Sequence, residues 1–166
     1  ANPDGNQEVF SLEVTTGTVR QLTDEILEAF TIDLTSDGSQ VVIHSEQDYA
    51  GTNPAGDPNI FLANTDGFGF IQVTDVQVAF RPQVSGDGSF IVFASDEDLV
   101  GGNPMGDAQI FSIDSDGSNV SQVTIGDLQP QWIRMSADGS RKYLFGLKDR
   151  QQIESVLIPE RNHFTL

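Results

Sequence analysis

Two Gly-rich loops of this chain carry oxygen-bearing side chains at matching positions. The residues are Asp48, Asn53 and Asp57 in the first loop, and Asp98, Asn103 and Asp107 in the second. Carboxylate and amide oxygens suit calcium, which takes roughly six to eight hard oxygen ligands. The spacing is not that of an EF-hand, because no Glu closes either loop. The same residue types also satisfy backbone groups in turns, so the loops predict either a calcium site or turn structure alone.

Two other residues are candidates for binding because they break the internal repeat of the chain. Arg81 is a cation in an acidic stretch, and we expect it to pair with neighbouring carboxylates or to face a central channel. Trp132 is the only tryptophan and stands near the positions that hold Phe30 and Phe80 in the earlier copies. Core packing is the expected role of Trp132, and ligand binding is the alternative.

The chain shows no recognisable catalytic group. There is no Gly-x-Ser-x-Gly elbow, no Ser/His/Asp set and no cysteine. His44 occupies a position that holds Ala94 and Phe145 in the later copies, which indicates a packing position. His163 lies in a tail where nothing aligns with it. We therefore predict no catalytic residues and a protein that is not an enzyme.

A repeat of about 50 residues organises the whole sequence. The tetrapeptide Asn-Pro-x-Gly begins at Asn2, Asn53 and Asn103, so the copies are 51 and 50 residues apart. Each copy ends on Gln-x-Thr, at residues 23, 74 and 124. Asp-Gly-Ser recurs with a similar step, at 37–39, 87–89 and 138–140. Self-similarity at this period, built from short strands, is typical of a propeller array.

The unit is predicted to contain four strands. Asp-Gly between two apolar runs is a strong β-hairpin signal. Residues 59–64, 70–74, 79–85 and 90–95 have the composition of strands, and Ile91 and Phe93 alternate there with other apolar side chains. Strands that are apolar on both faces are buried on both faces. We predict an all-β fold of propeller blades, each with four antiparallel strands.

We predict a single propeller domain over residues 1–166. The copies divide this domain into complete and partial units. The expected units are an outer half-blade at 8–23, blades at 29–74 and 79–124, an inner half-blade at 130–147, and a divergent terminal segment at 148–166 with strands at 155–158 and 163–166. A closed ring needs about four to eight blades. The chain is therefore expected to be a partial ring of about three blades, a piece of a longer protein, or half of a six-bladed ring. In the last case two chains would form a homodimer and share a closing blade.

The charge is strongly acidic and unevenly distributed. Residues 1–128 hold 21 acidic and two basic residues, whereas residues 129–166 hold four acidic and six basic residues, within an overall formal charge of −17. An acidic surface repels nucleic acid, which is therefore excluded as an expected partner. No apolar run approaches 18 residues, so no membrane-spanning segment is predicted. The acidity also fits a saline habitat, cation binding or a basic partner.

The repeats resemble a known family. The stretches 85–95 and 109–117, together with Gln122-Val123-Thr124, are similar to the WD40-like (PD40) repeat of TolB-type propellers. The chain departs from that pattern because the turns at Asp37, Asp87 and Asp138 lack the usual preceding proline. The resemblance covers about residues 2–147. It implies a bladed propeller, typically periplasmic, secreted or surface-attached, that acts mostly by binding.

These observations favour a non-enzymatic propeller module that binds a protein or glycan partner in the bacterial periplasm or at the cell surface. Two alternatives stay open. One is the non-catalytic propeller of a larger hydrolase or lyase, since related rings accompany such enzymes. The other is a structural spacer stiffened by calcium, which is the only cofactor that the sequence suggests.

Overall fold

The structure is a computed structural model that describes residue 5 and residues 7–24, 29–125, 128–136, 142–148 and 151–153. The described residues form strands and turns. The strands are β1 (Phe10–Glu13), β2 (Thr18–Gln21), β3 (Ala29–Leu34), β4 (Gln40–Ser45), β5 (Asn59–Asn64), β6 (Ile71–Gln72), β7 (Phe80–Val84), β8 (Phe90–Ser95), β9 (Gln109–Asp114), β10 (Ser121–Gln122), β11 (Leu128–Met135), β12 (Lys142–Lys148) and β13 (Gln151–Ile153). No helix in this part of the chain is long and apolar enough to cross a membrane.

Two complete blades form the centre of the molecule. Strands β3 to β6 make one four-stranded sheet and β7 to β10 another, and in each sheet the strands pair in sequence order. Every pairing is antiparallel. This confirms the predicted fold class, an all-β partial propeller. The bounds of β5 and β8 match the strands expected at 59–64 and 90–95.

The outermost strand of each blade is shorter than its sequence suggests. The apolar run at 70–74 yields only β6, Ile71–Gln72. Beyond β6 the acceptor is a side chain in place of a backbone carbonyl, because the Ile60 amide donates to Thr74 Oγ1 at 2.9 Å. The Val73 amide still donates to the Ile60 carbonyl at 2.8 Å. The closing Gln-x-Thr sequence therefore ends the ladder with a side-chain bond.

The main hydrophobic core lies between the two complete blades. Val42, Ile60 and Leu62 of the first blade pack against Phe93 and Phe111 of the second. The Phe93 and Phe111 ring centroids lie 5.9 Å apart. Removing such apolar surface from water is the dominant favourable term in folding, so the packed faces of the blades provide much of the stability. The packing of blade against blade also explains why these strands are apolar on both faces.

The chain has incomplete sheets on both sides of this pair. On one side β1 and β2 form a two-stranded sheet, and on the other β11, β12 and β13 form a three-stranded sheet. Ile133 of β11 is buried against Val92, Ala94 and Ile110 of the neighbouring blade. The strands expected at 155–158 and 163–166, and most of the terminal segment 148–166, lie outside the described residues.

The Asp-Gly turns form one rim of the blades. The Ser89 amide donates to Asp87 Oδ1 at 3.0 Å, and the Ser85 hydroxyl donates to the same oxygen at 2.7 Å. These bonds, led by the one from Ser85, lower the pKa of Asp87 to about 2. The pKa of Asp37 is lowered by its equivalent bonds, of which the Ser39 amide makes the largest contribution. The repeated Asp-Gly-Ser sequence is explained by turn architecture.

Candidate functional site

The opposite rim brings together the candidate residues of the sequence. Ala29, at the start of β3, pairs with Ser45 at the end of β4, and Phe80 pairs with Ala94 in the next blade. The loops 46–58 and 96–108 leave the ends of β4 and β8. Consequently these loops and the beginnings of the innermost strands β3, β7 and β11 lie at one end of the blades. We call this end the loop rim.

Each loop of the rim is held by an aspartate near its start. Asp48 Oδ1 accepts hydrogen bonds from the amides of Thr52 at 2.7 Å and Asn53 at 2.8 Å. In the second loop, Asp98 Oδ1 accepts from the Asn103 amide at 2.8 Å. A carboxylate that accepts backbone amides a few residues later is standard turn chemistry. The geometry thus accounts for both aspartates with protein groups.

The asparagines hold the far side of the same loops. Asn53 Nδ2 donates to the carbonyls of Glu46 and Asp57, both at 3.0 Å. Asn103 Nδ2 donates to the Asp107 carbonyl at 2.7 Å. Asp57 and Asp107 therefore contribute to the loops through their backbone oxygens, and both asparagines are buried.

Four of the six predicted calcium ligands make side-chain hydrogen bonds within their own loops, namely Asp48, Asn53, Asp98 and Asn103. Among the described residues, no group of three His, Cys, Asp or Glu side chains is placed to hold a metal ion. The side-chain oxygens of Asp48 and Asp98 accept backbone amides. Calcium at these loops stays a prediction.

The innermost strands carry an aromatic residue at equivalent positions. Phe30, Phe80 and Trp132 occupy β3, β7 and β11, and each strand has an irregularity of register at or beside this residue. Phe30 and Trp132 are exposed, and Phe80 is half-buried. Bulges re-aim side chains and are over-represented beside functional sites. We call these three residues the inner aromatic set.

Trp132 differs from its expected role. The sequence predicted core packing, yet 60% of its surface is exposed. The neighbouring Ile133 takes the buried position against the next blade instead. The bulge between Pro130 and Trp132 is the structural feature that accompanies this shift.

Arg81 lies beside this set on the middle innermost strand. Its guanidinium carbon is 5.3 Å from the centroid of the Phe80 ring, which is a cation–π distance. Its φ of 56° is left-handed, which is uncommon for a residue with a long side chain. Burial lowers the pKa of Arg81 from its usual value. Strain of this kind clusters at functional sites.

His44 is the titratable neighbour of this cluster. Its ring lies 5.1 Å from that of Phe30, with a tilt of 41° between the planes. Burial, and secondarily the charge of Arg81, lower the pKa of His44 to about 4. The imidazole is therefore neutral at pH 7 and packs as a ring, in line with the packing position expected from the repeat.

Sequence reasoning found Arg81 and Trp132 but did not combine them with Phe30 and Phe80 into one surface. The repeat alignment held the signal, because Phe30 and Phe80 lie at the same place in the unit and Trp132 lies one position away from it. What the alignment could not give was their exposure.

The comparisons with known structures agree with the propeller fold. A TolB protein from Agrobacterium tumefaciens superposes with a TM-score of 0.69 over 88% of this chain and 48% of its own, at 20% identity. The nidogen/laminin complex gives a TM-score of 0.61 at 13% identity, covering 84% and 48%. An oligogalacturonate lyase in complex with manganese gives 0.58 at 14%, covering 91% and 48%. The chain has the TolB-type β-propeller fold. It spans about half the length of these TolB-like and other propeller chains.

The sequence comparisons give a different relative. No protein-family profile matches the chain. A stretch of 42 residues, 25% of the chain, is 62% identical to the dual-specificity RNA methyltransferase RlmN of Desulfosudis oleivorans, and it spans 11% of that enzyme. The corresponding enzyme of Pelobacter propionicus is 50% identical over 42 residues and is covered to 12%. A match of this extent covers only a small part of the methyltransferase.

Proposed function

We propose that this propeller module is not an enzyme and that it binds a protein or glycan partner outside the cytoplasm, in the bacterial periplasm or at the cell surface. The loop rim is the proposed binding surface. TolB among the structural neighbours supports a binding role and an extracytoplasmic setting. The remaining neighbours include enzymes and non-enzymes, so the proposal rests on the site itself.

The observation that carries the proposal is the inner aromatic set with Arg81 in its middle. Exposed aromatic rings supply large contact area to either a sugar face or an apolar side chain. An arginine whose charge is partly desolvated binds carboxylates with directional hydrogen bonds. Together they suit a ligand that carries both a flat apolar face and a negative charge.

Trp132 provides the test, because it is the only tryptophan and most of its ring is exposed. At a salt concentration high enough to screen the acidic charge of the chain, we expect oligogalacturonate, an acidic glycan, to change its fluorescence saturably. Arg81→Gln should weaken that binding by about tenfold, as expected for losing one charge-assisted bond. Arg20→Gln, a charge change on the distant strand β2, is the matched control and should bind like the wild type.

If oligogalacturonate leaves the fluorescence unchanged, the acidic-glycan form of the proposal is wrong. The protein-partner form is then tested by placing a photo-crosslinking residue at position 132. A specific adduct that disappears in Arg81→Gln supports it. An adduct that persists unchanged in that variant contradicts a role for the inner aromatic set.

Two other functions stay as alternatives. The module could be the non-catalytic propeller of a larger hydrolase or lyase, in which case the full-length gene encodes a catalytic domain. It could instead be a spacer stiffened by calcium at the loops 46–58 and 96–108. An equal melting temperature in calcium and in EDTA rejects the spacer.

We further propose that residues 125–166 form a unit of separate ancestry, related to the RNA methyltransferase. The last repeat ends at Thr124, which leaves 42 residues, the same length as the matching stretch. Within that segment, residues 129–166 reverse the acidic balance, and the whole segment lacks the Asn-Pro-x-Gly and Gln-x-Thr sequences, although it keeps Asp-Gly-Ser at 138–140. No methyl transfer is proposed for so small a part of that enzyme.

Truncation tests this second proposal. The shortened chain 1–124 should fold with a cooperative melting transition, although exposing Ile110 and Val92 should lower its stability somewhat. Limited proteolysis of the full chain should cut near residue 125 before it cuts within the two complete blades. A truncated chain that is unfolded would show that the segment is an integral blade, as the repeat pattern first suggested.

A further inference from the structure

The second complete blade exposes large apolar side chains on the loop rim. Two of them belong to the loop 96–108, where Met105 is 83% exposed and Val100 is 46% exposed. The third is Ile125, which follows the closing Gln-x-Thr sequence of this blade and is 83% exposed. Strand β10 runs towards the loop rim, since the Val123 amide donates to the carbonyl of Ile110 near the start of β9. We call Val100, Met105 and Ile125 the second-blade patch.

One side-chain amide holds two parts of this patch together. Gln122 Nε2 donates to the Gly102 carbonyl at 3.4 Å and to the Thr124 carbonyl at 2.8 Å. Gly102 lies two residues after Val100 in the loop, and Thr124 directly precedes Ile125. The loop is thus fastened to the end of the outermost strand, and the two apolar side chains belong to one surface.

The turn that carries Met105 is equally well defined. Asn103 Nδ2 donates to the carbonyls of Asp96 at 3.1 Å and Asp107 at 2.7 Å, on the two sides of the loop. The Gly106 amide donates to the Asn103 carbonyl at 3.1 Å and closes the turn around Met105. The exposed thioether therefore projects from a loop whose backbone is fixed by its own hydrogen bonds. Methionine adapts its shape to a contacting surface and is enriched in protein interfaces.

The patch has no counterpart in the first complete blade, whose loop is fully described. Fifty residues earlier in the sequence, the three positions hold Ala50, Ala55 and Asp75. The position of Ile125 holds an aspartate in the preceding half-blade as well, at Asp24. Asn53 bonds the first loop as Asn103 bonds the second, so the loop forms without large apolar residues. The patch is therefore not explained by the architecture of the repeat.

The exposure of the patch does not arise at an open face of the blades. The second complete blade packs against the first one on one face, and Ile133 of β11 packs on the other. The patch lies at the rim between these two packed faces. Exposed apolar side chains that cluster and are rimmed by polar residues mark sites of protein interaction.

The charge around the patch indicates the kind of partner. The loop 96–108 contains four acidic residues and no basic one. Two of its carboxylates accept backbone amides, because Glu97 Oε1 accepts from Val78 at 2.7 Å and Asp98 Oδ1 accepts from Asn103 at 2.8 Å. Such bonds favour the charged form of a carboxylate, so the negative charge stays. An apolar centre with an acidic rim is complementary to an apolar centre with a basic rim.

We propose that the second-blade patch docks a partner protein that places apolar side chains on Met105 and Ile125 and surrounds them with Lys and Arg. This inference rests on the proposed function, since it takes the loop rim as the binding surface, and it names a partner class at residues outside the inner aromatic set. A glycan suits this patch poorly, because aliphatic side chains offer no ring face for a sugar. A second copy of the chain is disfavoured, because each copy has a formal charge of −17.

The repeat supplies the variant that tests the patch. Val100→Ala, Met105→Ala and Ile125→Asp together give the second blade the residues of the first, and we call this chain the consensus variant. All three positions are exposed in both blades, so the variant should melt like the wild type. Should it melt far lower, Met105→Ala alone provides the comparison.

A phage-displayed library of random short peptides is the probe. Selection on the full chain, after removal of the peptides that bind the consensus variant, should yield apolar residues flanked by Lys and Arg. A synthetic copy of a selected peptide should bind the consensus variant about tenfold or more weakly than the wild type. That variant carries one more negative charge, so non-specific attraction of a basic peptide would give the opposite result. Equal affinity for both chains, or selected peptides of net negative charge, overturns the proposal.

The reciprocal variant moves the patch to the first blade. Ala50→Val, Ala55→Met and Asp75→Ile place the same side chains on an equivalent loop. Titration of this chain with the selected peptide should reveal a second binding site. If only the original site binds, residues outside the patch decide recognition, and the proposal is wrong.

Two further measurements separate the other occupants. The oligomeric state in sedimentation should be the same for the wild type and the consensus variant, and neither should bind vesicles of phosphatidylcholine. A dimer that dissociates in the consensus variant would overturn the proposal in favour of a second copy. Vesicle binding that is lost in that variant would overturn it in favour of a lipid surface.

The fluorescence of Trp132 distinguishes a failure of this inference from a failure of the proposed function. Oligogalacturonate should change that fluorescence equally in the wild type and in the consensus variant. If the change is absent while selected peptides still require the patch, the acidic-glycan form of the proposed function is wrong and the patch stands. If the change is present while the peptides bind both chains equally, only the patch is wrong.

Discussion

Asn53 and Asn103 show at the scale of single residues why the loops looked like ligand sites. Each side chain spans a loop and bonds carbonyls on both of its sides, including Asp57 for the first and Asp107 for the second. Buried carbonyls without such a partner would cost about 1–3 kcal/mol each. The residue types that suit calcium are thus also those that close a turn, and only distances separate the two explanations.

His44 gives a pH dependence of stability that can be measured. Its pKa is about 4 in the folded protein against 6.5 for the free side chain. Because the folded value is the lower one, the unfolded state binds the proton first as the pH falls. The contribution to stability is therefore complete above pH 6.5 and is lost between pH 6.5 and 4.

The matched variant is His44→Phe, which keeps a ring beside Phe30 and removes the titration. We expect its free energy of unfolding, from urea titrations, to change less between pH 6.5 and 4 than that of the wild type. If the free energies of unfolding of the wild type and His44→Phe differ by a constant amount from pH 6.5 to 4, the lowered pKa of His44 is contradicted. Titration of His44 by NMR in the native protein measures the pKa directly.

At the scale of elements, the turns between the two inner strands of a blade depend on the neighbouring blade. Gly88 and Gly38 are equivalent and have φ of 73° and 71°. A Cβ on Gly88 would lie 2.6 Å from Gln40 Oε1 and 3.3 Å from Thr35 Cγ2. A Cβ on Gly38 would meet nothing within 4 Å.

Alanine substitutions at Gly38 and Gly88 separate the energetic cost of backbone strain from that of steric contact between blades. Gly38→Ala should cost about 1 kcal/mol, the penalty of a left-handed conformation for a residue with a Cβ. Gly88→Ala should cost more, because Gln40 and Thr35 must also shift. Chemical denaturation of both variants measures the difference. Equal losses would show that the neighbouring blade accommodates the methyl group freely.

At the scale of the whole molecule, contacts between sheets hold the blades in place. The Val84 amide donates to Asp33 Oδ2 at 2.9 Å, and the Ala79 amide donates to the Pro58 carbonyl at 2.8 Å. Burial raises the pKa of Asp33 despite the hydrogen bonds from the Val84 and Leu34 amides and the charge of Arg134. Each blade therefore provides a binding face for the next one. A blade without a neighbour presents that face to solvent, as β3 does.

The sequence by itself determined the repeat, the fold class and most strand positions. Strands between Asp-Gly turns, such as 59–64 and 90–95, are specified locally by apolar composition and turn chemistry. It also marked Arg81 and Trp132, because they break the repeat. These features depend on residues that are close together in sequence, so the sequence alone is enough to predict them.

Only the tertiary structure decided which of those residues are accessible. Trp132 is 60% exposed and Leu34 is 52% exposed, whereas Val84, the equivalent of Leu34 in the next blade, is buried. The hydrogen bonds from backbone amides to Asp48 and Asp98 also became known only from the structure, and calcium at these loops stays a prediction. These outcomes depend on contacts between residues that are far apart in sequence, and such contacts exist only after the blades have packed.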